Sequence, residues 1–328
     1  MKRLTIVFGA LAILTLCAAT FSHDAHSATV PSAGSAQNVE AFLGRWDLTL
    51  KAQDREYPSW LELRQESGQL KAIFVSRWGN ARPLPVAEVT NGHLKFVSPK
   101  EEEERKDDMV FEGTLSGDHL TGTTTGPDGT PWTWTGVKAP SLKRSGTPTW
   151  GKPIPLFNGK DLTGWKPEKA NTPTVWKVEN GSIITPGNGP DLINDSKFQD
   201  FKLHVEFNCG EKSNSGVYLR GRYEVQVEYE KVDANDPYHS MGSIYGFLAP
   251  AADLPRKPGT WETLDITLVG RMVTIVRNKV KTIDDREIPG ITGGALDSTK
   301  DDPGPFYIQG DHTGGMKYRN ITIQLPRQ

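Results

Sequence analysis

The sequence contains few cysteines and no excess of charge of either sign. Its two cysteines are Cys17 and Cys209. Because Cys17 lies in an N-terminal segment that we expect to be removed, Cys209 would remain alone, which excludes an intrachain disulfide and argues against a thiolate metal site. The 38 basic and 40 acidic residues give a net charge of -2, which lacks the positive excess that nucleic-acid binding needs. We therefore predict no nucleic-acid partner.

The sequence also lacks an apolar run long enough to cross a bilayer. Basic Lys2 and Arg3 precede an apolar run over residues 4–19, and a polar stretch follows. The run falls short of the roughly 20 residues that a membrane-spanning helix needs, and the layout is typical of an export signal. We predict a signal peptide over residues 1–28, an exported protein, periplasmic or extracellular, and no membrane span. Lipid anchoring at Cys17 is a minority alternative, because Leu16 is a poor fit to the small residue expected before that cysteine.

No dedicated metal-binding motif is present. The sequence has no His-x-x-x-His spacing, which would place two ligands on one helix face. The charge run at residues 101–108 is best read as a solvated hairpin tip, because consecutive side chains of an extended chain point in opposite directions and do not converge on one ion. We predict no metal and no cofactor, although two carboxylates and a histidine among the candidates below leave an oxygen and nitrogen site open.

What the sequence does contain is the pattern of an all-β protein. It has 33 glycines, 23 prolines and 9 tryptophans, and short alternating segments between residues 44 and 137 are separated by turn signals such as Asn91-Gly92. These segments predict a small up-and-down barrel over residues 39–138, and Gly44-x-Trp46 resembles the opening strand of lipocalin-like barrels. A filled core is the favoured interior, with a ligand-holding one as the alternative. Residues 139–153, rich in proline and glycine, predict a linker.

Two segments after the linker alternate between apolar and polar side chains. In residues 201–208 the period of two places His204 and Glu206 opposite the apolar residues, and in residues 223–229 it does the same for Glu224 and Gln226. Such polar faces suit a sheet that binds sugar hydroxyls through hydrogen bonds. An ordinary solvent-facing strand is the alternative for either segment taken alone.

Several segments of the C-terminal part follow one another in the order of a known family: residues 156–165, 176–184, 201–207, 214–220, 223–227, 242–246, 259–262, 308–312 and 318–321. In these segments the chain resembles the 3-keto-disaccharide hydrolase family. Two departures are Asn278-Lys279 in place of an Asn-Gly turn and Glu262 in place of the Asn that commonly follows Trp261. The second puts substrate choice in doubt if Glu262 lines a cleft. The resemblance implies a concanavalin A-like sandwich of two antiparallel sheets, a jelly roll, over residues 154–328, with a carbohydrate partner oxidised at C3.

A ketone at C3 makes the hydrogen on C2 acidic, so a base can remove it while the group on C1 leaves, and water can then add to the unsaturated ketone. This route gives net hydrolysis and needs a base, a proton donor and a group that holds the enolate oxygen. The candidates for base and acid in the matched segments are Glu224, His312 and Glu206, with the base taken as His312 or Glu224. The candidates for substrate binding are Arg220, Gln309, Gln226 and Asn214.

Two other functions remain open. Sandwiches of this architecture host lectins as readily as enzymes, so a non-catalytic carbohydrate-binding protein is the main alternative. A structural or protein-interaction module is the third, and it applies first to the N-terminal barrel.

Overall fold

The computed structural model describes residues 39–144, 146–169, 172–229, 236–252, 254–299, 302–310 and 312–327. The predicted signal peptide and Cys17 lie outside these ranges. Within them, regular structure is β except for the helical residues 39 and 40 and two short 3-10 helices, Lys100–Glu103 and Pro237–His239. No helix in the described part of the chain combines the length and hydropathy that crossing a bilayer requires.

The first sheet is an antiparallel meander of nine strands. They are β1 (Gly44–Lys51), β2 (Glu56–Glu66), β3 (Gln69–Val75), β4 (Arg82–Pro83), β5 (Val86–Thr90), β6 (His93–Ser98), β7 (Met109–Ser116), β8 (His119–Thr125) and β9 (Pro131–Lys138). Their order is β4-β3-β2-β1-β9-β8-β7-β6-β5. The ends of this order approach each other where β3 lies beside β5, so the sheet curls into the up-and-down barrel that the alternation predicts.

Aromatic side chains fill the interior of this barrel. Phe96 stacks on Phe111 with ring centroids 4.6 Å apart, and Phe74 meets both rings at 5.2 Å. The ring of Trp134 lies directly over Gly113, where a Cβ would come within 2.5 Å of it. The glycine is required because a side chain there would overlap the indole. This packing matches the filled core that the sequence favours.

The charge run at residues 101–108 differs from its prediction. Arg77 Nε donates to Glu103 Oε2 at 2.8 Å, and the Glu103 side chain is almost fully buried. Arg105 is buried as well and donates to the carbonyl of Ser98 at 3.1 Å. The expectation of a solvated tip was wrong for these two residues, because Glu103 pairs with Arg77 of a distant segment and Arg105 folds back onto the oxygens of Ser98 and Pro99.

The remaining strands form two antiparallel sheets packed face to face. They are β10 (Ile154–Pro155), β11 (Trp165–Pro167), β12 (Lys177–Glu179), β13 (Ser182–Thr185), β14 (Leu192–Phe198), β15 (Phe201–Cys209), β16 (Asn214–Leu219), β17 (Tyr223–Glu228), β18 (Glu262–Val269), β19 (Met272–Arg277), β20 (Val280–Glu287), β21 (Gly304–Ile308) and β22 (Met316–Gln324). The eight-stranded sheet has the order β12-β13-β22-β15-β18-β19-β20, with β10 beside β22, and the five-stranded sheet has the order β11-β14-β21-β16-β17. The predicted all-β fold with a two-sheet antiparallel sandwich is confirmed.

The sandwich core fixes which faces of the two sheets point outward. Apolar residues of β15, such as Leu203 and Val205, pack in one core with Val217 of β16 and Val225 of β17. The alternate residues of each strand therefore lie on the outer faces. The polar faces of residues 201–208 and 223–229 lie on opposite sides of the sandwich, because the two strands belong to different sheets.

The first sheet packs on the sandwich through the outer side of β2. Leu61 and Leu63 point into the barrel, whereas Trp60 points outward and is nevertheless fully buried, as part of the sandwich core. Its ring meets Phe247 edge to face at 5.3 Å and lies over the backbone of Gly290. The division into domains at residues 39–138 and 154–328 with a linker between them stays a proposal.

We predict that Trp60→Ala lowers the free energy of unfolding by about 3–5 kcal/mol, because it leaves a cavity between the first sheet and the sandwich. Urea denaturation followed by circular dichroism measures this loss. Val110→Ala is the matched control, since Val110 is exposed on the outside of β7, and it should change stability by less than about 0.5 kcal/mol. Equal stability of the two variants would contradict the packing described here.

Candidate functional site

A cleft of about 620 Å³ lies on the outer face of the five-stranded sheet, where the first sheet covers it. The sandwich lines it with polar and aromatic side chains: Asp191, Asn214, Tyr218, Glu224, Gln226, Tyr245, Tyr307, Gln309 and His312. The first sheet and its loops add Arg55, Glu56, Pro58, Trp78 and Gly79. The volume lies in the range of roughly 300–1,000 Å³ that is usual for sites that bind small molecules.

Glu224 is the buried carboxylate of this cleft. It lies on β17 opposite Tyr218 of β16, whose hydroxyl is 2.9 Å from Glu224 Oε2. The backbone of Gly216 lies beneath the carboxylate, and a Cβ at that position would overlap it. The backbone N–H of Glu224 donates to Thr292 Oγ1 at 3.0 Å. The carboxylate is therefore held in one orientation by its two strands and by the loop that follows residue 291.

A pair of stacked tyrosines supports the carboxylate. The rings of Tyr218 and Tyr307 lie 3.9 Å apart at 15°. The Tyr218 hydroxyl also lies 2.8 Å from the Gly293 carbonyl, and the Tyr307 hydroxyl donates to the Gly294 carbonyl at 2.5 Å. Burial raises the pKa of Tyr218 and of Tyr307 well above the ordinary value, so both remain protonated. Tyr218 has a single proton and can donate it to the carboxylate or to the Gly293 carbonyl, not to both at once.

Two amide oxygens in the cleft lack a donor within the described residues. They are Oε1 of Gln226 and Oε1 of Gln309, and both atoms are buried. The Gln226 amide nitrogen, by contrast, donates to Glu228 Oε2 at 3.1 Å and to Asn214 Oδ1 at 3.4 Å. A buried acceptor without a partner costs about 1–3 kcal/mol, so each of these oxygens favours the approach of a hydroxyl donor. The arrangement therefore suits a polyhydroxylated ligand.

His312 lies at the rim of the cleft and is exposed. Its position is set by its backbone carbonyl, which accepts a hydrogen bond from Asn188 N at 2.8 Å. Asp191 lies on the cleft wall, where its Oδ1 accepts from Gly310 N at 2.8 Å. Of the seven predicted site residues, the cleft brings five together: Glu224, His312, Gln309, Gln226 and Asn214.

Arg220 does not reach the cleft, so its predicted role in substrate binding was wrong. By alternation it would share the face of Tyr218, but β16 ends at Leu219 and Arg220 has a left-handed φ of 53°. The side chain is fully buried elsewhere, where its guanidinium donates to the Gly270 carbonyl and lies 5.3 Å from the ring centroid of Tyr223. The change of backbone conformation at the end of the strand redirects the side chain.

Glu206 lies on the outer face of the other sheet and not in the cleft. Arg319 Nε donates to its Oε2 at 2.7 Å, and Asn320 Nδ2 donates to its Oε1 at 2.7 Å. Burial alone would raise the pKa of Glu206, but the hydrogen bonds from these two side chains outweigh it and hold that pKa below its ordinary value. The prediction of a shared hollow for Glu206 and Glu224 was wrong because β15 and β17 belong to opposite sheets.

Glu262, the residue that departs from the family pattern, is not a lining residue of the cleft. Arg277 Nε donates to Glu262 Oε2 at 2.7 Å, and Asn278 Nδ2 donates to the same oxygen at 2.8 Å. The residue therefore ties the start of β18 to the end of β19 and to the turn that leads into β20, and it does not line the cleft. Within the described ranges, no group of three histidine, cysteine or carboxylate side chains is placed to hold a metal ion.

Several lining residues were missed by the sequence analysis. Tyr218 carries a usable signal, because alternation within β16 puts it on the same face as Asn214. Tyr245 lies in one of the matched segments but outside any strand. The contributions of Arg55 and Trp78 have no signal in the sequence, since they depend on how the first sheet packs on the sandwich.

A comparison with protein-family models identifies the C-terminal part of the chain. The model described as the 3-keto-alpha-glucoside-1,2-lyase-like domain matches residues 152–324, more than half of the chain. The chain belongs to this family. The resemblance seen in the sequence is thereby confirmed. The matched region and the first sheet together line the candidate cleft.

Relatives of this family member include a curated protein and several solved structures. A 3-keto-disaccharide hydrolase of Bacteroides thetaiotaomicron is 31% identical over 105 residues, which cover 29% of this chain and 36% of the relative. The match thus spans about a third of that relative's length. Two structures from Parabacteroides distasonis, provisionally named as glycosyl hydrolases, are 29% and 20% identical, with TM-scores of 0.45 and 0.44. They cover 55% and 52% of this chain and 92% and 93% of their own.

We predict that Gly216→Ala lowers the free energy of unfolding by about 1–3 kcal/mol, because the added methyl group overlaps the Glu224 carboxylate and forces it away from Tyr218. Urea denaturation measures the loss. Gly315→Ala is the control, because a Cβ there meets its nearest atom, the Thr185 carbonyl oxygen, at 3.6 Å. If Gly216→Ala were as stable as Gly315→Ala, the carboxylate could not lie over Gly216.

Proposed function

We propose that this protein cleaves glycosides that carry a ketone at C3, 3-keto-disaccharides among them. The observation that carries the proposal is the buried Glu224 carboxylate, oriented by Tyr218 and Gly216 in a cleft whose amide oxygens lack donors within the described residues. The family description and the name of the curated relative both refer to 3-keto sugars, and they support this substrate class.

In the proposed reaction Glu224 takes the proton from C2 of the oxidised ring. The electron pair of the C2–H bond forms an enolate whose charge lies on the C3 oxygen. The enolate then collapses to a C1–C2 double bond and the C1–O bond breaks, with His312 donating a proton to the leaving oxygen. The products of this elimination are the free leaving group and an unsaturated ketone.

Neutral donors of the cleft support the enolate in this proposal. Burial, and then the nearby Glu224 and Glu228 carboxylates, raise the pKa of Tyr245 well above its ordinary value, so the phenol remains a proton donor. The Gln309 amide is the second donor on the cleft wall. Together they replace Arg220 in the role of holding the C3 oxygen, and a neutral donor suffices where the charge develops only during the reaction.

The same route accounts for both the description of the family and the name of the curated relative. Elimination across C1 and C2 alone is a 1,2-lyase reaction, as in the description of the family. Addition of water across the double bond places a hydroxyl on C1 and returns a proton to C2, which makes the net reaction a hydrolysis, as in the name of the relative. Glu224 carries the proton in the first step and is placed to return it in the second.

A lectin-like protein is the less favoured function. Recognition of sugar hydroxyls requires the amides of the cleft, but it does not require a buried carboxylate fixed by a tyrosine hydroxyl and a glycine. We also propose that the protein is exported, as the layout of residues 1–28 predicts.

We predict that Glu224→Gln lowers kcat/KM for a 3-keto-disaccharide by at least about 100-fold, because an amide cannot accept the C2 proton. The measurement is the release of the leaving sugar, with urea denaturation to show that the variant is folded. Glu206→Gln is the control, since this carboxylate lies on the opposite face of the sandwich, and it should stay within about threefold of the wild type. Full activity of Glu224→Gln would remove that residue from the mechanism.

We predict that the effect of His312→Gln depends on the leaving group. For a 3-keto-disaccharide, whose leaving alkoxide needs a proton, kcat should fall by about 100-fold. For 4-nitrophenyl 3-keto-glucoside, whose leaving phenolate is stable without a proton, kcat should fall by less than about fivefold. Equal losses for the two substrates would show that His312 does not donate the proton to the leaving oxygen.

A further inference from the structure

The first sheet contributes an exposed tryptophan to the cleft. Trp78, in the connection between β3 and β4, has 45% of its surface exposed, although aromatic residues of this size are usually buried. Arg55 and Glu56, from the end of the β1–β2 hairpin, line the cleft beside it. None of the three lies within the region matched by the family model, residues 152–324.

The indole is oriented by other aromatic groups before any ligand binds. Tyr57 meets Trp78 edge to face at 5.8 Å and stacks on Trp132 at 5.4 Å and 14°. The Arg55 guanidinium lies 4.5 Å from the ring centroid of Tyr57 and 5.7 Å from that of Trp78. Arg77 lies 5.5 Å from the ring of Tyr57 on the same cluster. Such preorganisation lowers the entropy cost of ligand binding.

The backbone next to Trp78 connects this indole to the catalytic carboxylate. Gly79 packs so closely on Gly293 that a Cβ on Gly293 would overlap it. The Gly293 carbonyl is 2.8 Å from the Tyr218 hydroxyl, which is also 2.9 Å from Glu224. The indole and the carboxylate are thus fixed relative to each other across one cleft, through three short contacts.

We propose that Trp78 and Arg55 form a subsite for the leaving group of the substrate. This inference rests on the proposed function, because it assigns a binding site to the leaving group of the same substrate. The ligand chemistry is a six-membered ring with a flat apolar face, which stacks on the indole, and with hydroxyls, which the guanidinium and the Glu56 carboxylate bind. The ring of a second sugar fits this description, and so does an aromatic leaving group.

The test compares three substrates that differ in the leaving group alone: a 3-keto-disaccharide, 4-nitrophenyl 3-keto-glucoside and methyl 3-keto-glucoside. Trp78→Ala should lower kcat/KM for the disaccharide about tenfold, mainly through KM, because a stacked ring contributes about one such factor. The methyl glycoside, which has no leaving ring, should stay within about twofold. Trp78→Phe should retain most of the activity on the disaccharide, since it keeps an aromatic face.

Val137→Ala is the matched control, because Val137 is equally exposed on the same sheet but does not line the cleft. This variant should leave kcat/KM unchanged for all three substrates. A selective loss on the disaccharide, on the nitrophenyl glycoside or on both supports the subsite and shows which ring it takes. An equal loss on all three substrates, or no loss on either ring-bearing substrate, overturns it.

Calorimetry separates this inference from the proposed function. If the wild type cleaves none of the three substrates, the proposed function fails, and binding of the 3-keto-disaccharide to the wild type and to Trp78→Ala decides the subsite. A roughly tenfold weaker Kd of the variant supports the subsite. Equal binding to both proteins, or binding to neither, overturns it.

Discussion

The contact between Gly79 and Gly293 is the constraint on which the cleft depends. The two backbones approach so closely that no side chain fits at Gly293. The contact joins the first sheet to the loop whose carbonyls hold the hydroxyls of Tyr218 and Tyr307. Because Tyr218 in turn contacts Glu224, a displacement of the first sheet would reach the carboxylate through the Gly293 backbone and the Tyr218 side chain, which are closely packed.

The burial of Trp60 explains why this approach is stable. Two backbones of glycine provide little apolar surface and could not hold the sheets together alone. Trp60 supplies that surface, packed on Phe247 and over Gly290. Gly290 and Gly293 both lie in the connection between β20 and β21, so the apolar anchor and the close contact act on one segment of chain. The residues that pack the first sheet on the sandwich therefore also determine the shape of the cleft.

The alternation of polar and apolar residues predicted the strands and their faces, but not the side of the sandwich to which each face belongs. Residues 201–208 and 223–229 have the same pattern, and nothing local distinguishes Glu206 from Glu224. What separates them is strand order, since β15 lies in the eight-stranded sheet and β17 in the five-stranded one. Strand order arises from long-range pairing, for example of β15 with β22, which a single sequence does not encode locally.

The prediction for Arg220 was wrong for a different reason. Side chains alternate between the two faces of a sheet only within a strand. Its left-handed φ of 53° ends the period of two one residue after Leu219. The side chain then lies in the interior, with Gly221 following it at another positive φ. Glycine at position 221 permits this turn, but the direction of the Arg220 side chain follows from the tertiary structure.

The position of the cleft supports the proposed role of Glu224 as a base, although only 3% of the residue is exposed. A sheet face open to water would leave Glu224 strongly solvated, and solvation weakens its interaction with a developing charge. The loop at residues 292–296 and the first sheet exclude that water from one side of the cleft. His312 and Trp78, one from each part of the chain, are among the exposed residues that line the cleft. Substrate access, the orientation of the Glu224 carboxylate and the exclusion of water therefore depend on the junction between the first sheet and the sandwich, and not on the sandwich alone.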